Sequence, residues 1–114
     1  MIKRGEIYYV DLGVDKNGSV QSGRRPVVII QNDVGNKHSP TTLVCPITSK
    51  NKKKMPTHVS LKSSESGLPK DSVVMCEQCF TVNKDSLEEI AGEISDKKLE
   101  ELNHSLSISM GLNR

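Results

Sequence analysis

At 114 residues and a formal net charge of +2, the chain fits one domain over residues 1–114 and permits an anionic partner without demanding one. Roughly a quarter of it is Leu, Ile, Val or Phe, above the ~20% floor below which chains stay disordered, so a modest core is within reach. No apolar run approaches the ~20 residues of a membrane span, and the opening Met1-Ile2-Lys3-Arg4-Gly5-Glu6 has no signal-peptide apolar core. A cytoplasmic chain with reduced cysteines is expected.

Glu6 to Leu12 alternates in part and carries Ile7, Tyr8, Tyr9 and Val10, which predicts a first strand. Gly13 to Gly23 holds glycines, Asn17, Ser19 and Ser22 and reads as a flexible loop, long enough to be functional. Next comes Gly23-Arg24-Arg25-Pro26-Val27-Val28-Ile29-Ile30-Gln31-Asn32-Asp33. Its β-branched run predicts a buried strand. Pro26, lacking an N–H, suits the first position of that strand and not its middle. Two guanidinium groups at the mouth of a stiff strand suit phosphate recognition, because Arg offers forked donors and keeps its charge. The plainer reading is two solvated arginines.

Asp33 to Pro40 predicts a turn or short helical excursion. Thr41 to Thr48 predicts a third strand, with Pro46 marking an edge or bulge. Ser49 to Pro56 is a basic loop holding Lys50, Lys52, Lys53 and Lys54, either a solvated charge run or a binding patch. Thr57 to Leu61 alternates and predicts a fourth strand. Lys62 to Lys70 is polar, with Gly67 and Pro69, and predicts a surface loop. Ser72 to Val82 predicts one strand or two, broken near Glu77. Asn83 to Glu89 predicts a turn, and Ile90 to Ile94 a last short strand. Ser95 or Asp96 then caps a helix of about fifteen residues. Its apolar face is Leu99, Leu102, Leu106 and Met110, and Gly111 stops it. The fold class is mainly β with a C-terminal helix: a small curved antiparallel sheet or partly open barrel with the helix over part of it.

Cys76-Glu77-Gln78-Cys79 is a C-x-x-C, but its flanks are strand-like, and a redox pair wants the first Cys at a helix N-terminus. A structural zinc site needs four ligands, and Cys45 is the only other cysteine. Buried or half-buried thiols are expected. His104 falls off the apolar helix face and should be solvated. His58 is a packing histidine or a general base. There is no Walker loop, dinucleotide fingerprint, G-x-S-x-G or H-E-x-x-H. Aromatic side chains number three, Tyr8, Tyr9 and Phe80, so a nucleic-acid site would rest on polar and charged contacts.

Several segments together resemble the MazF/PemK toxins. Lys3-Arg4-Gly5-Glu6-Ile7-Tyr8-Tyr9 resembles their opening, and Gly23 to Asp33 their Arg-Pro strand. Ser39-Pro40-Thr41, Pro46-Ile47-Thr48, Pro56-Thr57-His58-Val59, Asp71-Ser72-Val73 and Glu77-Gln78 follow in order. Leu106 to Leu112 is similar to the closing helix. The resemblance implies the small SH3-like barrel of the MazF/PemK/CcdB toxin type, as a homodimer. It also implies a sequence-specific, ribosome-independent endoribonuclease of a type II toxin–antitoxin system. Such a protein cuts single-stranded mRNA without metal or cofactor and is held by a MazE-like antitoxin.

By the same resemblance, the catalytic Arg and Thr fall on Arg25 and Thr48, and RNA contacts fall on Ser72, Glu77 and Gln78. The flanking loops would add Ser19, Gln21, Arg24, Lys50, Lys52 and Lys53. Many relatives have Arg where this chain has Phe80, which would then stack on a base, and some have Glu where it has Val20. Two other functions stay open: a non-catalytic nucleic-acid-binding barrel, and a toxin of similar fold acting on gyrase.

Overall fold

A computed structural model of the chain describes residues 1–13, 23–50 and 53–112. Its strands are β1 (Glu6–Asp11), β2 (Arg24–Ile29), β3 (Thr41–Thr48), β4 (His58–Leu61), β5 (Ser72–Met75), β6 (Phe80–Asn83) and β7 (Ile90–Glu93). Its helices are α1 (Asp33–His38), α2 (Ser63–Ser66) and α3 (Asp96–Ser109). The sheet runs β4-β5-β3-β2-β1-β7, with β6 also on β3, and every pairing is antiparallel. The predicted class, mainly β with one C-terminal helix, is the class observed.

β3 holds this arrangement. One edge of it pairs with β2 over Val44 to Pro46. Its other edge takes β6 over Thr41 to Val44 and then β5 over Ile47 and Thr48. Between Val44 and Ile47 β3 advances three residues, while the opposite chain runs six, from Val74 to Phe80. The surplus is taken up by the 3-10 turn Cys76–Gln78. The predicted break near Glu77 is therefore an oversized bulge in what would otherwise be one strand. Bulges of this kind bend the sheet and re-aim side chains.

Pro26 is the third residue of β2 and not its first. The strand tolerates it because the β2–β3 register begins only at Val27. Pro46, opposite Val27, stands where β3 passes from β2 to β5, as a proline at a strand irregularity should.

β2 is buried on both faces. Val28 and Ile30 join Ile7, Cys45, Ile47 and Val74 on the side that α3 covers through Leu102 and Leu106. Val27 and Ile29 join Val10 and Val44 on the other, under half-buried Tyr8, Phe80 and Leu87. α3 begins as expected, with Ser95 Oγ accepting from the Lys98 N–H. Leu99, Leu102 and Leu106 face the core, but Met110 lies past the last turn and is exposed. Gly111 follows with φ +70°, and the Leu112 N–H donates to the Ser107 carbonyl.

The surface loop predicted over Lys62 to Lys70 contains α2, and it buries Ser66 and Leu68. One leucine in a polar stretch anchors it. Gly67, at φ +79°, brings its backbone against β7 so closely that a Cβ there would sit 2.1 Å from the Ala91 carbonyl oxygen.

That contact gives a test. Gly67→Ala meets both backbone strain and a backbone collision, whereas a Cβ at Gly111, φ +70°, meets nothing within 4 Å. Urea unfolding should show Gly111→Ala losing about 1–2 kcal/mol and Gly67→Ala losing clearly more. Equal losses would contradict the close packing of α2 on β7.

Candidate nucleic-acid interface

Arg25 pairs with Val10 in the β1–β2 ladder and is half-buried. It lines a cavity of about 230 Å³ with Tyr9, Arg24, Ser49, Lys70 and Ser72. The cavity lies where β3 has left β2 for β5. Ser72 is nearly buried, and its hydroxyl donates to the Lys70 carbonyl, fixing the start of β5. Ser49 and Ser72 also line a second cavity of about 520 Å³, whose wall includes Lys50, Lys54, His58 and Lys62. The two cavities thus adjoin across that pair of serines.

Thr48 is buried beneath this surface. Its Oγ1 accepts from the Lys50 N–H at 3.1 Å, so it shapes the Ser49–Lys50 turn, and Ser49 lines the cavity with Arg25. Arg24 is engaged elsewhere. Its guanidinium donates to Glu88 and Glu89, each at 2.7 Å, and sits 4.3 Å above the Tyr9 ring. The hydrogen bonds it donates to Glu88 and Glu89 raise its pKa above the usual arginine value. A phosphate at Arg24 must compete with two carboxylates already present.

The bulge aims the carboxylate of Glu77, one of the residues expected to contact RNA, at β4: Thr57 Oγ1 donates to Oε1 at 3.0 Å, and His58 Nε2 lies 3.1 Å from Oε2. Desolvation pushes this carboxyl up. Hydrogen bonds from its own backbone N–H, from His58 and from Thr57 outweigh that and hold its pKa below the ordinary value. Gln78 beside it leaves Oε1 buried and, among the described residues, without a hydrogen-bond partner. Phe80 is half-buried against the Val10–Val44 side of the core, so its ring serves packing first.

Lys50 and Lys53 are exposed on the loop after β3. Ser19, Val20, Gln21 and Lys52 lie outside the described residues. Sequence reasoning missed Ser49, Lys62, Lys70 and Asp71 as lining residues, because nothing in a polar loop marks which side chains turn toward a groove. It left His58 open; the structure ties that ring to Glu77 and places it in the wall of the larger cavity.

The thiols are buried or half-buried, as expected. The strand argument against Cys76 and Cys79 fails locally, since Cys76 opens a 3-10 turn. Cys45, buried in the core, is held protonated because its thiol donates to Cys76, whose pKa the same bond lowers. Among the described residues no group of three His, Cys, Asp or Glu is placed to hold a metal ion, and no helix is long and apolar enough to cross a membrane.

A curved antiparallel sheet with one covering helix, and a groove rimmed by Arg and Lys at one end, defines a small β protein suited to a polyanionic strand. The chain belongs to the PemK-like, MazF-like toxins of type II toxin–antitoxin systems, whose pattern matches residues 3–110. It is 50% identical over 113 residues to Endoribonuclease MazF of Staphylococcus saprophyticus, covering 98% of this chain and 93% of that one. Among solved structures, a mycobacterial endoribonuclease in complex with its cognate antitoxin superimposes with a TM-score of 0.85 at 25% identity, covering 100% of this chain and 99% of the other. MazF of Deinococcus radiodurans does so with a TM-score of 0.78 at 24% identity over 96% of each, a likeness of fold alone. The barrel expected from the resemblance is therefore the one the chain adopts.

The Glu77 clamp has a measurable consequence. A carboxyl whose folded pKa is depressed stabilises the fold above its unfolded value, about 4.3, and that stabilisation is lost as pH falls through the folded value. Glu77→Gln should therefore unfold at lower urea than the parent at pH 7, with the gap narrowing below about pH 4. A gap independent of pH would mean the carboxylate is not held as described.

Proposed function

We propose that this chain is the toxin of a type II pair: a metal-independent endoribonuclease that cuts single-stranded mRNA in the cytoplasm, at a specific sequence and away from the ribosome. The observation that carries the reading is the cavity of Arg25, Ser49, Lys70 and Ser72 at the parting of β2 and β3. It offers a guanidinium, an ammonium and two hydroxyls to one phosphate, with Arg25 and Ser72 on strands and Ser49 and Lys70 on the segments that adjoin them.

The substrate supplies its own nucleophile. The RNA 2′-oxygen attacks the adjacent phosphorus, the bond from phosphorus to the 5′-oxygen breaks, and the products are a 2′,3′-cyclic phosphate and a 5′-OH. One proton leaves the 2′-hydroxyl and one joins the departing 5′-oxygen, so none is gained or lost. Arg25 stabilises the charge that builds on the phosphoryl oxygens. Arginine stays protonated at neutral pH, so its role is donor and charge rather than base. Thr48 Oγ1 accepts from the Lys50 N–H and retains its own O–H to donate toward the same phosphate. Lys50 and Lys53 hold the strand on either side by its backbone. Ser72, Glu77 and Gln78 are assigned to base contacts, and Ser19, Gln21 and Lys52 are further candidates for RNA contact.

The partners follow from charge and exposure. A MazE-like antitoxin would lay an acidic segment over the lysine-rimmed groove. A second copy of the chain would cover Met110 and Leu112, which are 45% and 74% exposed at the end of α3.

An unstructured RNA incubated with the protein in excess chelator tests this. Cleavage should persist, and Arg25→Ala should lose about 10²–10³ in rate, the usual cost of removing one such donor. Arg25→Lys should restore little, since an ammonium lacks the forked geometry. Thr48→Ala should lose activity that Thr48→Ser partly keeps. Cleavage that requires a divalent ion, or that survives Arg25→Ala at full rate, contradicts the proposal.

A further inference from the structure

The larger of the two adjoining cavities is not the one at Arg25. It extends from the shared serines toward β4 and α2, and most of its wall has no role in the cleavage step just described. Lys50 and Lys54 reach it from the loop after β3, and Lys62 from the residue that precedes α2. Its apolar surface is Leu61 and Val73, on paired strands β4 and β5. Its one acidic lining residue is Asp71. This carboxylate is tethered: Oδ1 accepts from the Ser63 N–H at 2.8 Å, tying the start of β5 to the first turn of α2.

The mixture of groups is informative. Three ammonium groups suit phosphates, and a fixed carboxylate among them repels a phosphate. The carboxylate suits an edge of the ligand that donates hydrogen bonds. A nucleotide has both parts, a phosphate and a base, and a cavity of about 520 Å³ lies within the range of small-molecule sites. A carboxylate only accepts, so it favours a base bearing an exocyclic amino group and disfavours uracil, whose carbonyl oxygens flank its single N–H.

We propose that this cavity seats the nucleotide adjoining the scissile phosphate, with Lys62 on its backbone phosphate and Asp71 as a specificity-determining acceptor for an amino-bearing base. The inference rests on the reading of the Arg25 cavity as the cleavage site and assigns the neighbouring groove a choice of base.

The experiment maps cleavage ends on a randomised RNA for the parent, Asp71→Asn and Lys62→Gln. The parent should cut with an amino-bearing base at one position flanking the break. Asp71→Asn retains an oxygen for the Ser63 N–H and should relax that position alone, raising acceptance of uracil there roughly tenfold or more. Lys62→Gln should weaken binding across all sequences and reduce the salt slope by about one. As a check on the parent alone, replacing that base by its deaminated counterpart should lower kcat/KM roughly tenfold; Asp71→Asn, in turn, should be nearly indifferent to the replacement. An Asp71→Asn map identical to the parent's, or a Lys62→Gln salt slope unchanged, overturns the proposal while leaving RNA cleavage standing. A parent that cuts no RNA overturns both.

Discussion

β3 is the constraint on which the rest depends. Among the described residues it is the one strand with three partners, and it changes partner along its length. Because β2 holds it only as far as Pro46, its last residues turn toward β5 and leave a gap beside Arg25 and Pro26. The gap is the groove. Arg25 and Ser72 stand on ladder-bonded strands at its two sides, so these groups are held before any ligand arrives, which is what charge stabilisation requires. The buried faces of β2 serve the same end. Arg25 stands at the mouth of a strand that, after Pro26, buries Val27 to Ile30 alternately in the two halves of the core.

The second consequence lies on the other edge of β3. Three extra residues separate its pairing with β5 from its pairing with β6, and the Cys76–Gln78 turn absorbs them. That turn carries Cys76 into the core, swings Glu77 onto Thr57 and His58, and leaves the Gln78 side-chain Oε1 without a partner among the described residues. An inserted turn between well-paired strands costs ladder bonds, and here its return is a rigid block of polar side chains beside the groove. The Glu77 clamp couples β4 to the bulge, and the Ser109 hydroxyl, donating to the Cys76 carbonyl, couples α3 to it. The turn is thus braced from two directions.

Much of this was legible in the chain. The bounds of β3, the break near Glu77, the Ser95 cap and the Gly111 stop follow from local chemistry, and the structure places each where the residues put it. The chain's family was legible for a different reason: many short segments recur in one order, though none is specific alone. What was not legible depends on contacts between segments far apart. Arg24 and Arg25 look alike in sequence, yet Glu88 and Glu89 occupy Arg24, and only the pairing of β1 with β2 and β7 brings those carboxylates near. Nor does the sequence show that Phe80 packs in part against the Val10–Val44 cluster, which the sheet brings about. Lys62 and Asp71 sit in a stretch whose polar composition hid both a helix and a cavity wall.

The account's central claim is that the substrate, and not the protein, brings the nucleophile to a preformed donor site. A substrate with a single 2′-deoxy sugar immediately 5′ of the cut isolates that claim, because it removes one oxygen and leaves every phosphate and base in place. The deoxy substrate should compete with unmodified RNA for binding at nearly equal concentration and remain uncut, while the unmodified strand yields fragments ending in a 2′,3′-cyclic phosphate. Cleavage of the deoxy substrate at the normal rate would mean that water or a side chain is the nucleophile, and the mechanism built on Arg25 would be wrong.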